Sequence, residues 1–174
     1  MNTFPISRRA LRLLPLAAAL LVAASGSSGA ISPAADPKLP SFSLSTLSGS
    51  AFSRDALSDK VVLVDFWATW CKPCLDEIPH WNALQARYGG RGLTVLGITV
   101  ESGAPSEIKA SVEKHKIRYQ IVIGDVDIVK GFGGITGFPT TFLVDRHGFI
   151  RKKYAGQYPS KHAEIERDIQ TLLR

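Results

Sequence analysis

Two stretches of the chain are apolar almost without interruption. Residues 60–67 read Lys-Val-Val-Leu-Val-Asp-Phe-Trp, and residues 93–100 read Leu-Thr-Val-Leu-Gly-Ile-Thr-Val. Runs rich in β-branched residues are the pattern of strands covered on both faces. Between them, Leu75, Ile78, Trp81, Leu84 and Tyr88 recur at helical spacing from Cys71 onward, and Gly89-Gly90 ends the pattern. A strand, a helix and a strand in this order predict a right-handed parallel crossover. Upstream, Phe42, Leu44 and Leu47 alternate with serines around Ser48-Gly49-Ser50, which predicts a hairpin over residues 41–52.

Downstream, residues 106–115 read as a helix with Ser106 as N-cap after Pro105. Residues 119–123 read as a short strand and 125–132 as a short helix. Thr140 to Asp145, the turn Arg146-His147-Gly148, and Phe149 to Tyr154 form a hairpin pattern. A last amphipathic helix carries Ile165, Ile169 and Leu172, with Ser160 as its expected cap. No internal repeat is visible. The prediction is a single α/β sandwich with parallel strands first and an antiparallel hairpin last.

The N-terminus follows a different pattern. Arg8, Arg9 and Arg12 precede the apolar run 13–24, and small polar residues follow. This is the layout of a secretory signal, with cleavage expected after Ala24 or Ala30. Twelve helical residues reach about 18 Å, short of a hydrocarbon core about 30 Å thick. Retention as an uncleaved membrane anchor is the alternative, and either reading places the domain outside the cytoplasm. The domain layout is therefore a signal at 1–30, a proline-rich linker at 31–41 and a folded domain at 42–174.

Charge changes the picture little. The 174 residues carry 21 Lys and Arg against 15 Asp and Glu, a formal charge of +6. Without the three N-terminal arginines the balance is 18 against 15, or +3, too even to argue for nucleic acid. The run Arg151-Lys152-Lys153 reads as a solvated strand guarded against edge pairing.

The chain has two cysteines, Cys71 and Cys74. As a staple the pair is poorly placed, because closing a four-residue loop contributes only about 1.9 kcal/mol in the chain-entropy estimate. As a reactive device it is well placed. A thiol at a helix start faces unpaired amides and the positive end of the helix dipole, both of which favour a thiolate, and Lys72 adds a nearby charge. Cys74, one turn further in, is expected to be more buried and to resolve a mixed disulfide.

Val-Asp-Phe-Trp-Ala-Thr-Trp-Cys-Lys-Pro-Cys (64–74) resembles the active site of the thioredoxin superfamily. Gly137-Phe138-Pro139-Thr140 matches its cis-proline loop, and Pro79 the proline that interrupts its long helix. Within the superfamily, residues 70–79 look like the TlpA/ResA group of extracytoplasmic thiol–disulfide oxidoreductases. The resemblance implies a thioredoxin-like α/β fold, a central mixed β-sheet flanked by helices, with an N-terminal hairpin and an insert near residues 101–118. It implies that Pro139 faces the cysteines and that Phe138 lines the substrate groove with Trp70, Lys72 and Pro73. It also implies protein thiols and disulfides as substrates, with apocytochrome c cysteines or other oxidised envelope proteins among them. A membrane thiol reductase would supply electrons, and no cofactor is needed beyond the cysteine pair.

Two acids compete for the role of proton acceptor. Asp65 sits in an otherwise apolar strand, where burial would raise its pKa and let it exchange a proton with Cys74. Glu77 lies one helical turn after Cys74 on the same face. Asp65 is the first choice, but the assignment stays open. The lysine that thioredoxins carry on the second central strand is replaced by Gly97, so no counter-ion for Asp65 is apparent. Trp67 is expected to pack around the site. His80, His115, His147 and His162 read as separate surface residues, with no metal expected. Two other functions fit less well. A Cu(I) carrier of this fold would use the paired thiolates with a downstream His, and His147 is not clearly in that place. A peroxiredoxin-like peroxidase would use a Thr just before a lone cysteine; Thr69 is placed for it, but the following Cys-Lys-Pro-Cys is not.

Overall fold

The computed structural model describes residues 36–174. The expected signal and the first part of the linker lie outside the described residues. Seven strands form one mixed sheet: β1 (Ser43–Thr46), β2 (Ala51–Ser53), β3 (Val61–Trp67), β4 (Leu93–Thr99), β5 (Gln120–Ile123), β6 (Thr140–Val144) and β7 (Ile150–Ala155). Their order across the sheet is β2-β1-β5-β4-β3-β6-β7. The helices are α1 (Lys72–Tyr88), α2 (Pro105–Lys114), α3 (Val126–Gly131) and α4 (Lys161–Leu172).

β3 pairs in parallel with β4, and β4 with β5, joined by α1 and α2 as crossovers. β6 runs antiparallel to β3 and forms the last hairpin with β7. The N-terminal hairpin, β1 with β2, adds to the far edge through β5. The basic run at residues 151–153 lies on the edge strand β7, as the pattern predicts. There Arg151 pairs with Asp145 and Asp36, and Lys152 with Asp168.

Side chains of a strand alternate between its faces. Every residue of β3 is buried, because both faces are covered. Val61, Leu63 and Trp67 pack with Trp81, Leu84 and Tyr88 of α1 and with Ile165 and Ile169 of α4. Val62, Val64 and Phe66 pack on the opposite side with Ile98, Val122, Phe132 and Phe142. Asp65 has the odd parity of the first set, so it points toward α1 and α4.

Three sequence expectations need correction. The cap of α2 is Ala104, not Ser106, because Pro105 occupies the first turn, where its fixed φ and missing N–H cost nothing. The Ala104 amide donates to the Glu107 carboxylate at 2.7 Å. Ser160 is the N-cap of α4 as expected, but its hydroxyl pairs with Glu164 Oε1 at 2.5 Å instead of a backbone amide. The end of the expected linker is part of the fold: the Leu39 amide donates to Gly148, the Pro37 carbonyl accepts from Ile150, and Leu39 is buried.

Candidate active site

The C-terminal end of β3 runs through Ala68, Thr69 and Trp70 into Cys71, the N-cap of α1. Cys71 Sγ accepts the Cys74 amide at 3.3 Å, one of the amides that a helix start leaves without a partner. The two cysteines form a disulfide with Cα atoms 5.3 Å apart. Cys71 is 5% exposed and Cys74 1%, the order expected of an attacking and a resolving thiol. Lys72 and Pro73 lie in the exposed first turn of α1, and the Lys72 ammonium is held at 2.9 Å by Asp76.

The Phe138–Pro139 peptide is cis. Phe138 meets Trp70 edge to face with ring centroids 5.7 Å apart, which brings the proline loop alongside the residue preceding Cys71. Trp70 is 61% exposed and is steadied by its indole N–H, which donates to the Glu101 carbonyl at 2.8 Å. Trp70 and Phe138 form one wall of a cavity of about 550 Å³ that also includes Val126, Val129, Ile135 and Asp125. A largely apolar groove thus opens at Trp70, the residue preceding Cys71, and at the proline loop.

Behind the disulfide lies a buried charge cluster. Asp65, 1% exposed, accepts the Thr141 hydroxyl at 3.1 Å from its neighbour on β6. Burial, reinforced by the Glu77 charge, pushes its pKa up to about 7, with Lys161, Thr141 and the Trp81 indole pulling the other way. Glu77 shares the buried face of α1 with Cys74, Ile78 and Trp81. It is no solvated helix glutamate: its carboxylate meets Lys161 Nζ at 2.8 and 3.0 Å, both side chains being wholly buried. Burial raises the Glu77 pKa, and Lys161 opposes the rise.

Lys161 was not apparent in the sequence: it is the ion-pair partner of Glu77, whereas Asp65 makes no direct ion pair among the described residues and feels the Lys161 charge only at a distance. The position lost on β4 explains why the cation arrives from elsewhere. A Cβ on Gly97 would lie 2.4 Å from Ile121 Cδ1 and 3.1 Å from both Trp67 and Tyr119, so a side chain there would require these neighbours to shift. The signal for Lys161 was the stripe of α4: one turn before Ile165 and Ile169, the same register falls on residue 161. Two histidines also depart from expectation. His80 and His162 stack at 3.7 Å between centroids, and His162 Nε2 lies 3.4 Å from Glu77 Oε1. His147 sits beyond the far end of β6 from Pro139, so the five-residue strand, about 17 Å long, separates it from the cysteines.

This geometry matches known proteins. The AhpC/TSA family model matches residues 35–153. Thioredoxin-like protein YneN of Bacillus subtilis is 34% identical over 132 residues, covering 75% of this chain and 76% of its own. Thiol-disulfide oxidoreductase ResA of Geobacillus thermodenitrificans is 34% identical over 134 residues, covering 76% and 75%. The chain belongs to the AhpC/TSA family, among its thioredoxin-like, ResA-related thiol–disulfide oxidoreductases. A solved thiol:disulfide interchange protein of the thioredoxin family from Chlorobium tepidum superposes with a TM-score of 0.72 at 32% identity, covering 82% of this chain and all of that one. For a ResA-related oxidoreductase the Cys-Lys-Pro-Cys motif is the reacting centre, and the buried acids are what the motif alone does not reveal.

Proposed function

We propose that the protein reduces disulfides of other proteins outside the cytoplasm. Cys71 is the attacking thiol, Cys74 the resolving one, and a membrane thiol reductase returns the electrons. The observation that carries this reading is the oxidised pair at the start of α1, with the proline loop and a largely apolar groove at Trp70, the residue preceding Cys71. An extended client segment would lie along the groove against Phe138, with Trp70, Lys72 and Pro73 as its contacts. The signal pattern at residues 1–30 supports export. Among the described residues no helix is long and apolar enough to cross a membrane.

The reductive direction has a physical basis as well as the resemblance. A strongly oxidising pair stabilises its reduced form, chiefly through a stabilised thiolate. Here the Lys72 charge is taken up by Asp76 at the surface, and the buried acids lie on the Cys74 side. A thiolate at Cys74 is therefore disfavoured, and the disulfide is the stable form.

Trapping tests the reading. A Cys74→Ala variant should accumulate mixed disulfides with client proteins through Cys71, and a Cys71→Ala variant should accumulate none. Equal trapping through either thiol would contradict the roles. The AhpC/TSA match keeps a peroxidase in view as the second reading. Against it, the Thr69 hydroxyl donates to the Ser102 carbonyl at 3.2 Å and is not free to serve a peroxide. Peroxide consumption well below the rate of disulfide reduction is the expected result.

A further inference from the structure

The buried cluster contains two acids and one ammonium group. Asp65 reaches it from β3, Glu77 from α1 and Lys161 from α4; Thr141 of β6, Trp81 and His80 of α1, His162 of α4 and Tyr119 before β5 complete its surroundings. A carboxylate sealed from water without a partner is very costly, so one cation readily sustains one anion, and the second acid holds its proton more tightly and gives it up only near neutral pH. The contacts decide which is which. Glu77 has the ammonium group against both oxygens, at 2.8 and 3.0 Å, whereas the hydrogen bond Asp65 receives is from the Thr141 hydroxyl at 3.1 Å. Lys161 is held in place by its own burial and by the Trp81 ring, 5.8 Å from its Nζ.

We propose that Lys161 is a positioning residue of the redox reaction: by holding Glu77 as a carboxylate, it makes Asp65 the acid that exchanges a proton with Cys74. The inference rests on the proposed roles of Cys71 and Cys74. In the resolving step, the Cys74 thiol gives its proton to the Asp65 carboxylate, and its sulfur attacks Cys71 Sγ of the mixed disulfide. The Cys71–Cys74 bond forms as the Cys71–client bond breaks. The client sulfur leaves with the electron pair and takes a proton from water, so two electrons pass from the protein dithiol to the client. Asp65 then releases its proton to solvent.

The test is the pH profile of single-turnover oxidation of the reduced full-length protein by hydroxyethyl disulfide. Wild type should show an inflection near neutral pH. Asp65→Asn should remove it and slow the reaction at pH 7 by about 10²-fold, the usual scale of acid–base assistance. Lys161→Met should move the inflection upward by at least one pH unit, since both acids then compete in an uncompensated site. Lys161→Met combined with Glu77→Gln removes both members of the ion pair, and should restore the inflection near neutral pH; this double variant decides if the single one fails to fold. An unmoved profile in Lys161→Met overturns the proposal. So does an inflection that survives Asp65→Asn, or one that vanishes in the double variant. Mixed-disulfide trapping through Cys71 in a Cys74→Ala background separates failure of this inference from failure of the enzyme reading, because trapping needs neither acid.

Discussion

On the α3 side of the sheet, Val62, Val64, Phe66, Ile98, Phe132 and Phe142 form an apolar pack in which three aromatic rings meet at centroid distances of 4.8 to 5.9 Å. On the α1 and α4 side, equally well-buried residues include Asp65, Glu77 and Lys161, packed against Trp67 and Trp81. Both layers rest on the same strand, one residue apart in parity. The first is what burial alone would select. The second gives up stability to keep ionisable groups beside a disulfide, as sites that must move protons do. The difference shows that the reactive half of this fold is recognised by what it buries at a cost.

Swapping the chemistry between the layers should break the comparison most severely. Phe66→Asp places a carboxylate on the apolar side with no cation, and should cost more than about 4 kcal/mol or prevent folding, as denaturant unfolding would show. Leaving the charged layer unbalanced comes next. Lys161→Met should destabilise by about 3–5 kcal/mol, while the double variant with Glu77→Gln should recover most of that, because a buried pair can be replaced at little cost but not halved.

Removing the unpaired acid should do the opposite. An Asp65 carboxyl with its pKa pushed up to about 7 binds its proton more tightly folded than unfolded. It therefore penalises folding increasingly as pH rises from about 4 to 7, and fully above that. Asp65→Asn should raise stability above pH 7 by up to about 4 kcal/mol and change little below pH 4. The smallest effect is the mirror image. Burial, then His80 and Lys161, push His162 down to about 4. Its neutral form is favoured in the fold, so the stability it contributes is intact above about pH 6.5 and is lost as pH falls toward 4. His162→Gln should flatten that acid-side loss, and thermal unfolding between pH 4 and 7 would read the two opposing slopes.

Much of this architecture was legible in the residues. The unbroken run 61–67, the helical spacing of Ile78, Trp81 and Leu84, and the hairpin around Arg146-His147-Gly148 each follow from a local rule, and each formed as read. The cysteine pair and the proline loop were legible from spacing and resemblance. What escaped was long-range. Lys161 lies 84 positions from Glu77, and a lysine at a helix start reads as solvated unless the stripe it extends is followed backward. His162 joins His80 only because α4 packs on α1. Leu39 enters the core only because the last hairpin ends above it. The start of α2 shifted because Pro105, rather than Ser106, decided it.

The most direct test of the reductase reading is the equilibrium of the Cys71–Cys74 pair with a glutathione buffer of known potential, followed in the full-length protein by thiol alkylation. A midpoint near −270 mV, the range of thioredoxin, is the predicted result, and one near −120 mV, the range of the strong oxidant DsbA, would contradict it.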